Sequence, residues 1–169
     1  MKYFSGFCFQ NEEEIFSDLY QKGDFVVAGF SYGAIKAFEY ASTCRDRIDK
    51  LQLFSPAFFQ DKSDKFRRLQ TISFVKNQNI YIENFLDSVK YPSNMDLKKY
   101  FSEGSLKELE ELMSYTWNAK KLKLLFDKGV DIEVFLGEKD KIINPDSVLD
   151  FFTPYASVYY IKSVGHLLK

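Results

Sequence analysis

The residues best placed for chemistry are Gly29-Phe30-Ser31-Tyr32-Gly33, a G-x-S-x-G pentapeptide. An apolar run, Phe25-Val26-Val27-Ala28, precedes it and an amphipathic stretch follows it, which is the strand–turn–helix setting of a nucleophile elbow. The chain must reverse sharply there, and side chains two residues before or after the serine would collide with neighbouring elements. A serine alcohol needs a base, and the sequence holds a single histidine, His166. It follows the last apolar run, Val158-Tyr159-Tyr160-Ile161, where a strand-end loop would carry it. If Ser31 is activated by an imidazole of this chain, His166 must supply it.

An imidazole in that role needs a carboxylate to set its tautomer. Leu136-Gly137-Glu138-Lys139-Asp140-Lys141 directly follows another apolar run. Asp140 is the preferred acid, with Glu138 and Asp146 as rivals. The N–H of Tyr32, the residue after the serine, is the first expected donor to an oxyanion. The second is the N–H of Phe7, in the loop Ser5-Gly6-Phe7-Cys8, with Gly6 supplying backbone freedom.

The elements that must position these groups read as alternating strands and helices. Strands are expected at Tyr3–Phe7, Phe25–Ala28, Leu51–Phe54, Ile132–Leu136 and Val158–Ile161. Helices are expected at Glu12–Lys22, closed by Gly23, at Ala34–Ser42, and from near Pro145. Strands alternating with helices imply a mainly parallel sheet of about five strands in an α/β fold. Between Pro56 and Asp131 the strand rhythm vanishes. Ser105-Leu106-Lys107-Glu108 is a capping box, and Asn118 is placed to cap a helix that ends at Gly129. The expected organisation is a core of residues 1–56 and 129–169 with a helical lid insertion, residues 57–128, in a single domain.

Composition narrows the classes. The 169 residues carry 23 Lys+Arg against 24 Asp+Glu, so a net charge of -1 offers no global attraction to nucleic acid. Hydrophobic residues make up 46% and aromatic residues 18%, which excludes a disordered chain. The two cysteines, Cys8 and Cys44, form neither a disulfide framework nor a metal spacing. Cys8 has no basic neighbour or Cys-x-x-Cys partner and reads as packing. No apolar run approaches the roughly 18 residues of a membrane helix, and no signal-peptide h-region stands at the start. A cytoplasmic protein without cofactor, metal, nucleic acid or membrane partner is expected.

The order Ser31, Asp140, His166 resembles the α/β-hydrolase superfamily. More closely, the chain resembles the small BioV-type pimeloyl-[acyl-carrier protein] methyl ester esterases. The likeness rests on Phe4-Ser5-Gly6-Phe7, Gly29–Ala37, Leu53-Phe54-Ser55-Pro56, Phe66-Arg67-Arg68-Leu69-Gln70, Gly104-Ser105-Leu106, Lys128-Gly129-Val130, Ile132–Gly137 and His166-Leu167-Leu168. The resemblance implies a serine carboxylesterase that hydrolyses the methyl ester of a pimeloyl chain on acyl carrier protein. It assigns attack to Ser31, proton transfer to His166, orientation to Asp140, and oxyanion binding to Phe7 and Tyr32. The alternatives are a general short-chain carboxylesterase or thioesterase, and a non-catalytic binding protein of the same fold. Two features depart from the superfamily: Ser5-Gly6 stands where many members carry His-Gly, and the chain stops three residues after His166. Lys62, Lys65, Arg67, Arg68 and Lys76 form a basic run suited to an acidic carrier, with Lys65, Arg67 and Arg68 as candidate contacts. Phe58, Phe59, Phe66 and Phe74 are candidates for an acyl tunnel or for lid core.

Overall fold

The computed structural model describes residues 2–169; Met1, the first residue of the expected core, lies outside the described residues. Five strands form one parallel sheet in sequence order: β1 (Lys2–Phe4), β2 (Val26–Phe30), β3 (Lys50–Phe54), β4 (Asp131–Gly137) and β5 (Ser157–Ile161). The expected α/β architecture is therefore present. The central strands bury apolar side chains on both faces, as a covered parallel sheet requires, with Gln52 and Glu133 as a buried, mutually hydrogen-bonded polar pair. Val27, Leu51, Leu53, Ile132, Val134 and Leu136 point into one core with α1 (Tyr32–Thr43). Ala28, Phe30, Phe54 and Phe135 point the other way, onto Phe16, Tyr20 and Leu167. On that second face Phe16 stacks on Phe54 at 4.7 Å, Phe54 on Phe135 at 5.2 Å, and Phe135 on Tyr159 at 4.8 Å. The rings follow the register Phe54↔Phe135↔Tyr159, so aromatic packing runs across three strands.

Two expectations are corrected. The first strand ends at Phe4, not Phe7, because the next backbone groups leave the sheet: Gly6 N–H goes to the Glu12 carboxylate and Phe9 N–H to Gly6 C=O. The stretch Glu12–Lys22 is not a continuous helix but a 3₁₀ turn, Glu12–Phe16, followed by turns. Gln52 on β3 captures the backbone that a helix would need. Its side chain accepts the Gln21 N–H at 2.8 Å and donates to Leu19 C=O at 3.1 Å.

The segment between β3 and β4 is helical: α2 (Asp64–Lys76), α3 (Gln78–Lys90), α4 (Leu106–Ser114) and α5 (Ala119–Asp127). Side chains start each helix: Ser63 caps α2, Asn77 caps α3, and Asn118 accepts two N–H groups at the start of α5. The Ser105–Glu108 capping box starts α4. α2 and α4 pack together, while α5 lies against α1. α6 (Pro145–Phe152) begins with Pro at its first turn and packs on β4 and β5. No helix among the described residues is long and apolar enough to cross a membrane.

Candidate active site

Ser31 sits between the end of β2 and the start of α1 with φ 52 and ψ -113, outside the regular backbone regions. Three backbone hydrogen bonds hold it there. Its N–H donates to Phe54 C=O at 2.9 Å, and its C=O accepts from Ala34 and Ala57, both at 3.1 Å. The flanking glycines are required by close backbone approach. A Cβ on Gly33 would lie 1.9 Å from Phe4 O, and one on Gly29 would lie 2.2 Å from Gly33 O. Ser31 occupies the N-cap position, yet its side chain caps nothing. Its hydroxyl instead lies 3.0 Å from His166 Nε2.

On the other side of the ring, His166 Nδ1 is 2.6 Å from Asp140 Oδ2. Both side chains are fully buried. Asp140 Oδ1 accepts the N–H groups of Ile142 and Ile143 at 2.7 and 3.1 Å. An ionised carboxylate only accepts, so Nδ1 carries the proton and Nε2 is left to accept the Ser31 hydroxyl. The structure thus brings Ser31, His166 and Asp140 into one hydrogen-bonded line. The rival acids point elsewhere: Glu138 accepts the Ser163 N–H, and Asp146 accepts the Tyr160 hydroxyl.

His166 is held by residues with no obvious role in the sequence. Ser55 Oγ donates to His166 C=O at 2.7 Å from the end of β3. Lys139 N–H bonds Val164 C=O, and Gly165 packs against the Tyr91 carbonyl where a Cβ would come within 1.8 Å. Leu167 and Leu168 are buried in the second core, and Phe30 lies 5.1 Å from the imidazole. Neither Ser55 nor Gly165 carries a local sequence signal for this role beyond its residue type.

Tyr32 is the first residue of α1, where a helix leaves its N–H without an internal acceptor. Its phenol is bonded to Glu111 on α4, and burial first, then that carboxylate, raises its pKa well above the ordinary value. Phe7 occupies a turn closed by Phe9 N–H to Gly6 C=O at 3.1 Å, with Cys8 at φ 64. Among the described residues no acceptor receives the Phe7 N–H. Gly6 itself is not in a left-handed conformation; it is needed because a Cβ would come within 2.8 Å of the Phe30 ring. That corrects the expectation of backbone freedom. Burial pushes the Cys8 thiol up to about 12, which removes it as a nucleophile.

Ser31 opens onto a cavity of about 270 Å³. Phe59 and Phe66 line it together with Phe7, Leu109, Leu112 and Met113, and α3 adds Tyr81, Asn84 and Ser88. Phe58 and Phe74 do not reach it and belong to the core. The α3 contribution was not legible, because nothing in Tyr81–Ser88 marks which face turns inward. In the basic run, Arg67 is paired with Asp64 and Lys62 lies 3.5 Å from Asp61. Lys65, Arg68 and Lys76 are exposed on α2. Among the described residues no three His, Cys, Asp or Glu side chains converge as metal ligands would.

The fold has close counterparts among solved structures. It is similar to naproxen esterase (carboxylesterase NP) from Bacillus subtilis, with 19% identity and TM-score 0.59, covering 85% of this chain and 53% of that one. It is similar to MenH from S. aureus, with 16% identity and TM-score 0.61, covering 98% and 85%. An esterase from Exiguobacterium antarcticum matches with TM-score 0.65 and 14% identity, covering 82% and 58%. The chain thus spans little more than half of two of these relatives. No protein-family model and no curated protein matches the sequence. At these identities the likeness establishes the fold, that of an α/β-hydrolase.

Proposed function

We propose that this chain is a serine esterase in which Ser31, His166 and Asp140 act as a catalytic triad. One observation carries the reading: the only histidine bridges a strained, non-capping serine and a buried carboxylate, at 3.0 and 2.6 Å. Ser31 Oγ attacks the ester carbonyl as its proton passes to His166 Nε2, and Asp140 stabilises the imidazolium. The carbonyl oxygen takes up negative charge and is met by the N–H groups of Tyr32 and Phe7. Collapse of the tetrahedral intermediate breaks the ester C–O bond. His166 returns its proton to the departing alkoxide, which leaves as an alcohol. Water then attacks the acyl-enzyme by the same route and releases the acid.

The substrate in this proposal is the methyl ester of a pimeloyl chain on acyl carrier protein. The sequence resemblance supports it, and so does the form of the site. The cavity is mainly apolar, as an acyl chain requires, and α2 roofs it with Phe66 and Gln70. The outer face of the same helix exposes Lys65, Arg68 and Lys76 beside Leu69, Ile72 and Val75. Cations and aliphatics on one exposed face suit an acidic carrier that also presents apolar groups.

Hydrolysis rates on free and carrier-bound methyl esters test the substrate. A preference for the carrier-bound ester that is lost in K65A/R67A/R68A, with turnover of the free ester unchanged, is expected. Equal rates on both esters would leave a general esterase.

A further inference from the structure

Glu12 is a glutamate with 0% exposure, in a segment that contributes nothing to the triad. Its Oε1 accepts the Gly6 N–H at 2.8 Å and the Tyr3 hydroxyl at 3.3 Å. Its Oε2 is buried and meets no donor in hydrogen-bonding geometry among the described residues. Burying a carboxylate with one oxygen unsatisfied is costly, and an apolar side chain would fill the space without that cost. The bonds from the Gly6 N–H and the Tyr3 hydroxyl are what such a replacement would lose.

Gly6 immediately precedes Phe7, whose N–H has no acceptor among the described residues. Three contacts hold Gly6. The Phe30 ring fills the space a Cβ would take, Phe9 N–H closes on its C=O, and Glu12 takes its N–H. The first two restrain the loop from the sheet side and from its own turn. Only the third comes from the 3₁₀ turn, whose Phe16 packs on the same Phe30 ring at 5.0 Å. The peptide plane carrying the Phe7 N–H begins at the Gly6 carbonyl, so a rotation of Gly6 re-aims that N–H directly.

We propose that Glu12 is a positioning residue for the oxyanion loop: its buried carboxylate fixes Gly6 and so aims the Phe7 N–H at the oxygen that gains charge. The inference rests on the esterase reading of the site. Burial raises the Glu12 carboxyl above its ordinary pKa, opposed chiefly by the Gly6 N–H.

The test uses E12A, E12Q and E12D with p-nitrophenyl butyrate as substrate and a trifluoromethyl ketone as tetrahedral analogue. Gln keeps the reach to Gly6 without the charge; Asp keeps the charge but is one methylene short. A displaced oxyanion donor costs about 10- to 100-fold in kcat. E12A and E12D should show that loss with KM within about threefold, and analogue binding should weaken by the same factor. E12Q should stay within about threefold of wild type in kcat. If E12A does not fold, the contrast between E12D and E12Q carries the test. A kcat for E12D equal to that of E12Q, or a loss confined to KM or thermal stability, would overturn the proposal. If turnover by the wild type survives S31A, the esterase reading falls and this inference falls with it. Unchanged kcat in E12A or E12D, with turnover still dependent on Ser31, would sink the Glu12 role alone.

Discussion

Replacing Asp140 with Asn is the most informative change at the site, because the local hydrogen bonds dictate its outcome. The Asp140 Oδ1 position receives two backbone N–H groups, from Ile142 and Ile143, at 2.7 and 3.1 Å. In D140N the amide oxygen must occupy that position, since an NH₂ there would face two donors. The NH₂ then faces His166 Nδ1, where the carboxylate now sits at 2.6 Å. Nδ1 must become the acceptor, so Nε2 carries the hydrogen and cannot take the Ser31 proton. The wrong tautomer in a Ser–His–Asp triad costs about 10⁴ in turnover. That corresponds to roughly 5.4 kcal/mol of activation free energy. The fold should survive, because the two loop bonds persist and only one charge-assisted bond is weakened, about 1 kcal/mol. Steady-state hydrolysis of p-nitrophenyl butyrate, read beside circular dichroism and a thermal melt, separates the two effects. E138Q and D146N should keep near wild-type turnover, since neither side chain touches His166. A D140N kcat within tenfold of wild type, or a dead E138Q beside an active D140N, would refute the reasoning.

Two further outcomes follow from the packing. G33A should cost at least about 3 kcal/mol or abolish folding, because its Cβ would meet Phe4 O at 1.9 Å. G129A, at φ 81 with open space around it, should cost only about 1–2 kcal/mol; denaturant unfolding of the two variants checks the order. In native protein at pH 8, a disulfide-exchange thiol reagent should modify Cys44 and spare Cys8. With the Cys8 thiol at about 12, roughly one in 10⁴ of these groups is thiolate at that pH, and denaturant should expose it. Rapid modification of both thiols in folded protein would contradict the packing around the Phe7 loop.

Much of this architecture was legible in the sequence because local pattern and tertiary demand agree there. The expected strands Phe25–Ala28, Leu51–Phe54 and Ile132–Leu136 fall on the observed Val26–Phe30, Lys50–Phe54 and Asp131–Gly137, because both faces of these strands are covered. The elbow announced itself through two glycines whose absent side chains make room for Phe4 O and Gly33 O. What was not legible depends on partners distant in sequence. Ile15, Phe16, Leu19 and Tyr20 keep helical spacing, yet Gln52, a residue of β3, takes the Leu19 and Gln21 backbone groups. Glu12 stands in the sequence only as the first residue of the expected helix Glu12–Lys22; the fold turns it inward onto Gly6. Ser55 and Gly165 hold His166 from β3 and from the loop facing Tyr91, contacts that no local pattern encodes. The inward face of α3 is set by its packing on α2, where the Tyr81 hydroxyl bonds Gln70 at 3.0 Å.

Covalent capture of the serine tests the central claim most directly. A fluorophosphonate incubated with the folded protein should add one phosphonyl group, located by mass spectrometry on the peptide containing Ser31. S31A should abolish the adduct and H166A should slow its formation by orders of magnitude. A well-folded protein that takes up no phosphonyl group, or carries it on another residue, would contradict the account.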